Sequence, residues 1–208
     1  MKLQDFFPLI YCINLDGRPD RWEKAQEEFK KVGIENVQRF SAIKENPPWL
    51  GCYSSHLEIL TEAELLQKNV LIFEDDVEFI NFDKFDMESA LDEMNKYYWW
   101  DMLYFGGNIL KPFYKASNYW ARLRHCQSTH AYGVNWKFIP RLRDWIYSNT
   151  PAILDVIYAN TIVPNRNCFI TIPSMLAIQR TDYSDIEGRA MSYDLPLKRY
   201  NKFYKSQK

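Results

Sequence analysis

Short apolar runs alternate with longer amphipathic stretches along this chain, the rhythm of a sheet covered by helices. "PLIYCINL" (8–15) is a near-continuous apolar run, as expected of a strand buried on both faces. In "WEKAQEEFKKVG" (22–33), Trp22, Ala25, Phe29 and Val32 recur at three- and four-residue steps, and Gly33 is placed to end a helix. "NVQRFSAI" (36–43) predicts a second strand, so the chain opens as strand, helix, strand: the start of an α/β sheet.

In "SSHLEILTEAELLQKN" (54–69), Ser55 is followed three residues on by Glu58. That spacing predicts a capping box at a helix start, a cap worth about 1 kcal/mol, with Leu57, Leu60 and Leu65 on the inner face. "VLIF" (70–73), "DMLYFGG" (101–107), "STHAYGVN" (128–135) and "CFITIP" (168–173) predict further strands. "MESALDEMNKYY" (87–98), "IPRLRDWIYSN" (139–149, with Pro140 near its first turn) and "AILDVIYAN" (152–160) predict helices. Residues 111–124 are aromatic and basic with no sustained period. Residues 1–190 are expected to form a single α/β domain, and 191–208, whose "PLKRYNKFYKSQK" holds five Lys or Arg and no acid, a loosely packed basic tail.

Composition narrows the function classes. A net charge of -1 over 208 residues argues against a nucleic-acid partner bound through a basic surface. The four cysteines are widely separated and form no CxxC pair, which argues against zinc and against a disulfide scaffold. The apolar start is too short and too soon followed by charge for a transmembrane segment, and it lacks the marks of a leader. A soluble, cytoplasmic protein is the expectation.

One stretch calls for chemistry. "NVLIFEDDVEFI" (69–80) runs four apolar residues into Glu74, Asp75 and Asp76. In an open α/β sheet, ligands bind at the carboxyl ends of strands, and this triplet stands at such an end. Strand alternation would set Glu74 and Asp76 on one face and Asp75 on the other. Two converging carboxylates raise each other's pKa unless a cation sits between them, and oxygen-only ligands favour a hard ion such as Mg²⁺ or Mn²⁺. The plainer alternative is a set of solvated or capping acids at a strand exit.

Four blocks, "INLDGRPDR" (13–21), "GCYSSHLEIL" (51–60), "VLIFEDDVEF" (70–79) and "SMLAIQRTDYSDIEGR" (174–189), resemble in content and order the family 25 glycosyltransferases, which include lipooligosaccharide and procollagen galactosyltransferases. "STHAYGV" with "PAILDVIYA" makes a weaker fifth. The resemblance implies a GT-A-like, Rossmann-related open mixed sheet flanked by helices. It also implies a UDP-sugar donor carrying galactose or glucose, inversion at the anomeric carbon, and a glycan or hydroxylysine-type acceptor. Asp76 and Glu74 then take the part of the metal-binding DxD motif, with Mn²⁺ or Mg²⁺ as cofactor, and Asp75 binds ribose or donor sugar.

The same resemblance assigns the loop after the first strand, with Asn14, Asp16, Arg18 and Arg21, to the nucleotide; arginine forks suit phosphate or a uracil carbonyl. Ordinary surface pairing is the other use for Arg18 and Arg21, and helix capping for Asp16. His56, at the start of the capped helix, either meets the donor or packs on the sheet. His130 reads as a hydrogen-bonded core residue. Gly106 and Gly107 either let backbone approach the sugar, with Gly107 counted among the donor-binding residues, or form a turn. An inverting transfer needs a general base. Asp155, which interrupts "AILDVIY", is the candidate, and Asp185 its rival or a donor contact. Tyr119 and Trp120 either stack on an acceptor or fill the core. A non-catalytic glycosyltransferase-like binding module is the alternative function; a phosphatase or nuclease lacks support, because the sequence holds no Gly-rich phosphate loop.

Overall fold

The computed structural model describes residues 1–97, 99–148, 152–184, 189–191 and 194–207. In chain order they form α1 (Leu3–Phe6), β1 (Leu9–Asn14), α2 (Pro19–Val32), β2 (Gln38–Ser41), α3 (Pro48–Leu66), β3 (Val70–Glu74) and β4 (Val77–Phe79). Next come α4 (Met87–Tyr97), β5 (Met102–Tyr104), β6 (Asn108–Ile109), β7 (Tyr114–Lys115), β8 (Trp120–Arg122), β9 (Cys126–Gln127) and β10 (Ala131–Val134). The rest are α5 (Ile139–Ser148), α6 (Leu154–Ile157), β11 (Cys168–Thr171), β12 (Ala177–Gln179), β13 (Asp182–Ser184), β14 (Arg189–Met191) and α7 (Asp194–Lys205).

Eight strands make one open mixed sheet in the order β2-β1-β3-β10-β5-β11-β8-β7, the flanked α/β architecture expected. β1 runs parallel to both β2 and β3, with Tyr11 opposite Gln38 and Leu9 opposite Val70. β10 is antiparallel to β3 and β5, and β11 returns parallel to β5. Alternate residues of each central strand feed opposite cores. Tyr11, Ile13, Ile72, Tyr104 and Tyr132 pack with Ile59 and Leu60 of α3 on one face. Ile10, Cys12, Phe73, Leu103 and Ala131 pack with Ala25 and Phe29 of α2 and with α4 on the other. That double coverage explains the apolar runs.

The chain lays β2 on one side of β1 and then crosses to lay β3 on the other, with α2 and α3 on opposite faces. The carboxyl ends of β1 and β3 therefore flank a switch-point crevice.

α2 begins with Pro19 in its first turn and ends at Gly33 in the left-handed region (φ 69), as the pattern predicts. α3 corrects it. The helix starts at Pro48, two turns before the expected capping box, so Ser55 is interior and Glu58 exposed. Ser55 Oγ donates to Gly51 O (2.7 Å) and accepts from Ile43 N–H (2.8 Å), tying the loop after β2 to the helix. The inner face is Tyr53, His56, Ile59, Leu60 and Ala63, and Leu65 is 79% exposed.

Residues 111–124 hold β7 and β8 at the far edge of the sheet. Trp120 is fully buried, its Nε1 donating to Ala90 O (2.9 Å), and Tyr119 is half-buried against Phe85. Both fill the core. The expected 152–160 helix is one turn of α-helix, α6, continued by a π-type turn over Tyr158–Ile162. The expected loose tail is instead α7. Its Tyr200 is fully buried and donates to Thr171 O (2.7 Å), and Arg199 donates to Asn108 Oδ1 (2.8 Å). No helix among the described residues is long and apolar enough to cross a membrane.

Candidate functional site

A cavity of about 540 Å³ opens at the carboxyl ends of β1, β2 and β3. It is lined by Asn14, Asp16, Arg18, Arg21, His56, Glu74, Asp75 and Asp76, eight residues singled out from the sequence. Gly107 and Asp155 are not in its wall. Asp185 lies outside the described residues.

The triplet does not continue the strand. β3 ends at Glu74, and Asp75 and Asp76 form a turn into β4, so the expected alternation of faces gives way to three carboxylates turned toward one cavity. Arg180 holds the turn, its N–H donating to Asp76 O (2.7 Å) and its Nη2 to Asp75 O (2.9 Å).

Arg21, one turn into α2 and buried, reaches Asp75 Oδ1 through Nη1 (3.0 Å) and Asp76 Oδ2 through Nη2 (3.3 Å). Its guanidinium thus engages two of the triplet acids. Asn14, at the end of β1, donates to Asp75 Oδ2 (2.7 Å) and Arg18 O (2.9 Å) and accepts from Arg39 Nε (2.8 Å). Asp16 accepts from Arg39 Nη2 (2.7 Å) and Ser41 Oγ (2.8 Å), bracing the loop instead of capping α2. Those two hydrogen bonds hold its carboxyl below the ordinary range. Arg18 pairs with Asp20.

Glu74 turns to the opposite wall. Its Oε1 accepts from Thr129 Oγ1 (2.5 Å) and stands 3.5 Å from His56 Nε2, while Tyr132 OH meets His56 Nδ1 at 2.9 Å. His56, buried inside α3, stands on the sheet and also faces the cavity. Burial pushes the Glu74 carboxyl up, but His56 and Thr129 outweigh it and leave Glu74 below its ordinary value. Asp76 goes the other way. Burial, then Glu74, pushes it up to about 7 against the pull of Arg21. Burial likewise raises Asp75, with Arg21 and Asn14 opposing. Such opposed shifts in one cleft are typical of functional sites.

Asp155, half-buried in α6, accepts from Ser128 N–H at Oδ2 (3.3 Å). It is one of the carboxylates, with Glu74 and Asp76, that raise the Cys52 thiol in the cavity wall once burial has done so. Gly107 is close-packed for a reason other than a sugar: a Cβ there would lie 2.3 Å from Cys126 Sγ. His130 is buried and its Nε2 meets Ala177 O at 3.5 Å, as expected of a core residue.

Sequence reasoning misses Arg39, Lys44, Cys52 and Gln179. Parallel pairing sets Arg39 opposite Cys12, where it reaches Asn14 and Asp16. Gln179 donates to Asp76 Oδ2 (3.3 Å) and lies within the "SMLAIQRTDYSDIEGR" block. Cys52 is four residues before His56, the spacing that puts both on one helical face. Lys44 leaves no such signal.

No family model matches the chain. Curated sequences named "Glycosyltransferase 25 family member" are similar to it. That of Aedes aegypti is 29% identical, covering 49% of this chain and 21% of the relative. Those of Drosophila pseudoobscura pseudoobscura and Drosophila melanogaster are 28% and 29% identical with the same coverage. The chain thus spans about a fifth of the length of these relatives. The solved structure "Crystal Structure of A197 from STIV" aligns with a TM-score of 0.49 at 13% identity, covering 89% of this chain and 98% of that one.

Proposed function

We propose that the crevice is the donor site of a metal-dependent, inverting glycosyltransferase of GT-A type, moving galactose or glucose from a UDP-sugar to a glycan or hydroxylysine-type hydroxyl. The observation that carries this is the charge of the cavity. Asp16, Glu45, Glu74, Asp75 and Asp76 line it against Arg18, Arg21 and Lys44, and Arg21 is already engaged by two of the acids. A pyrophosphate enters such a pocket only with a cation. Mn²⁺ or Mg²⁺ fits the residues present: Asp76 Oδ1 is buried without a hydrogen-bond partner, and Glu74 is the carboxylate whose field most raises Asp76.

Asp76 and Glu74 would hold the ion, which when bound supplies Lewis-acid stabilisation of the departing diphosphate, worth several kcal/mol. The remaining roles fall to the chain itself. Asn14 and Arg21 orient the acids, and Arg18 and Lys44 offer positive charge to the nucleotide. Asp155 stays the candidate base because its field reaches the cavity wall at Cys52, and Asp185 stays its rival. The cytoplasm, whose reducing chemistry suits four free thiols, remains the proposed compartment.

UDP titrations with Mn²⁺ and with chelator test the proposal. Affinity should rise at least tenfold with the ion, about 1.4 kcal/mol, and Asp76→Asn should abolish that gain. Equal affinity in both conditions would overturn it.

A further inference from the structure

Helix α3 sets Cys52 and His56 four residues apart on one face, and β3 brings Glu74 opposite them. Their ligand atoms all lie within 4.8 Å of one another, one thiol, one imidazole and one carboxylate. The imidazole is fully buried, and its Nε2 has no hydrogen-bond partner although it faces Glu74 Oε1 at 3.5 Å. A buried polar nitrogen left open in this way requires an explanation.

We propose that Cys52, His56 and Glu74 form a binding site for Zn²⁺ in the wall of the crevice. The donor set is that of a borderline-soft ion, sulfur and nitrogen with one oxygen, and not that of the hard ion assigned to Asp76. Supporting contacts around the donors are already built. Tyr132 OH meets Nδ1 of His56 at 2.9 Å and so fixes the ring with Nε2 toward the site, and Thr129 Oγ1 holds the Glu74 carboxylate. Entry is open too, because all three residues line the cavity. Three protein ligands would leave one coordination position for a ligand entering from the crevice. On binding, the Cys52 S–H bond breaks, the sulfur bonds the ion and the proton leaves to solvent.

A lone cysteine nucleophile is the poorer account. Activated thiolates sit beside positive charge, and the groups whose fields reach Cys52 are the acidic side chains Glu74, Asp155 and Asp76. The lack of a CxxC pair excludes only zinc sites built from paired cysteines; a Cys-x3-His spacing on one helix serves as well.

The site does not depend on the donor being a nucleotide sugar. Glu74 is common to both ion sites, whereas Cys52 belongs to one and Asp76 to the other, and this separates the tests. Co²⁺ added to the full chain without nucleotide should give a sulfur-to-metal charge-transfer band that Zn²⁺ displaces. Cys52→Ser should abolish the band, Asp76→Asn should leave it, and Tyr132→Phe should weaken Co²⁺ binding by about 10–100-fold. A cobalt spectrum with no sulfur band, or a band that survives Cys52→Ser, would overturn the proposal. Should Cys52→Ser fail to fold, alkylation of the native protein decides: Zn²⁺ should slow modification of Cys52 at least tenfold, and unchanged labelling refutes the site.

Discussion

Asp76 carries a proton to about pH 7 in the folded chain without metal, against 3.8 for an ordinary aspartate. Between those values the folded state binds more protons than the unfolded one, so this group's contribution to stability falls as pH rises and levels off above about 7. Glu74, shifted downward, stabilises above its ordinary 4.5 and loses that effect only as pH falls below it, so it is constant from pH 5 to 7. In chelator, the melting temperature of Asp76→Asn minus that of wild type should therefore widen from pH 5 to 7 and then stay constant; a flat difference would show that Asp76 is ionised throughout. Asp155 is tested separately. If it is the base, Asp155→Asn keeps nucleotide affinity while kcat falls about 10²–10⁴-fold. A loss of affinity instead would make it a positioning residue, acting through Ser128, whose backbone it holds at φ 92, on the neighbouring Thr129 and so on Glu74.

Strands were legible because each central one is buried on both sides and reads as an apolar run. α3 shows where pattern fails. Its first two turns contain Gly51 and Cys52, which do not advertise a helix and mask the start signal of Pro48, and its interior Ser55 and Glu58 imitate another. Gly51 is there for proximity: a Cβ would lie 2.2 Å from Ile43 O, in the loop that also lines the cavity. The two accounts of Ser55 part in a measurable way. Ser55→Ala should cost about 1–3 kcal/mol by leaving the half-buried Ile43 N–H without its partner, while Glu58→Ala, a partner only in the capping box, should change stability by less than about 0.5 kcal/mol. Urea unfolding of both variants checks this; comparable losses would restore the cap. The ion pairs of Arg21 and Arg39 were illegible for a different reason, since they join segments 55 and 23 residues apart that only the sheet order makes adjacent.

α7 returns to the sheet from the far end of the chain and closes a core face with Tyr200, against Phe113 at a ring distance of 5.4 Å. Its basic composition concealed this, because Lys198, Arg199, Lys202 and Lys205 are interleaved with Leu197, Tyr200, Phe203 and Tyr204, the residues that pack on the core. Tyr200→Ala should cost about 3–5 kcal/mol, as for other large aromatic truncations, and Tyr200→Phe about 0.5–1.5 kcal/mol for the bond to Thr171 O. A negligible change in the urea midpoint for Tyr200→Ala would mean that α7 is undocked in solution.

The crevice draws Arg21 from the helical layer on one side of the sheet, His56 from the layer on the other, and its acid triplet from the end of the strand between and the turn that follows it. Neither core alone sets its dimensions. A methyl group gained or lost deep in either layer is thereby transmitted as a change in spacing between charged atoms, so substitutions far from the opening can detune it, while the outward-facing sides of the helices are free to drift.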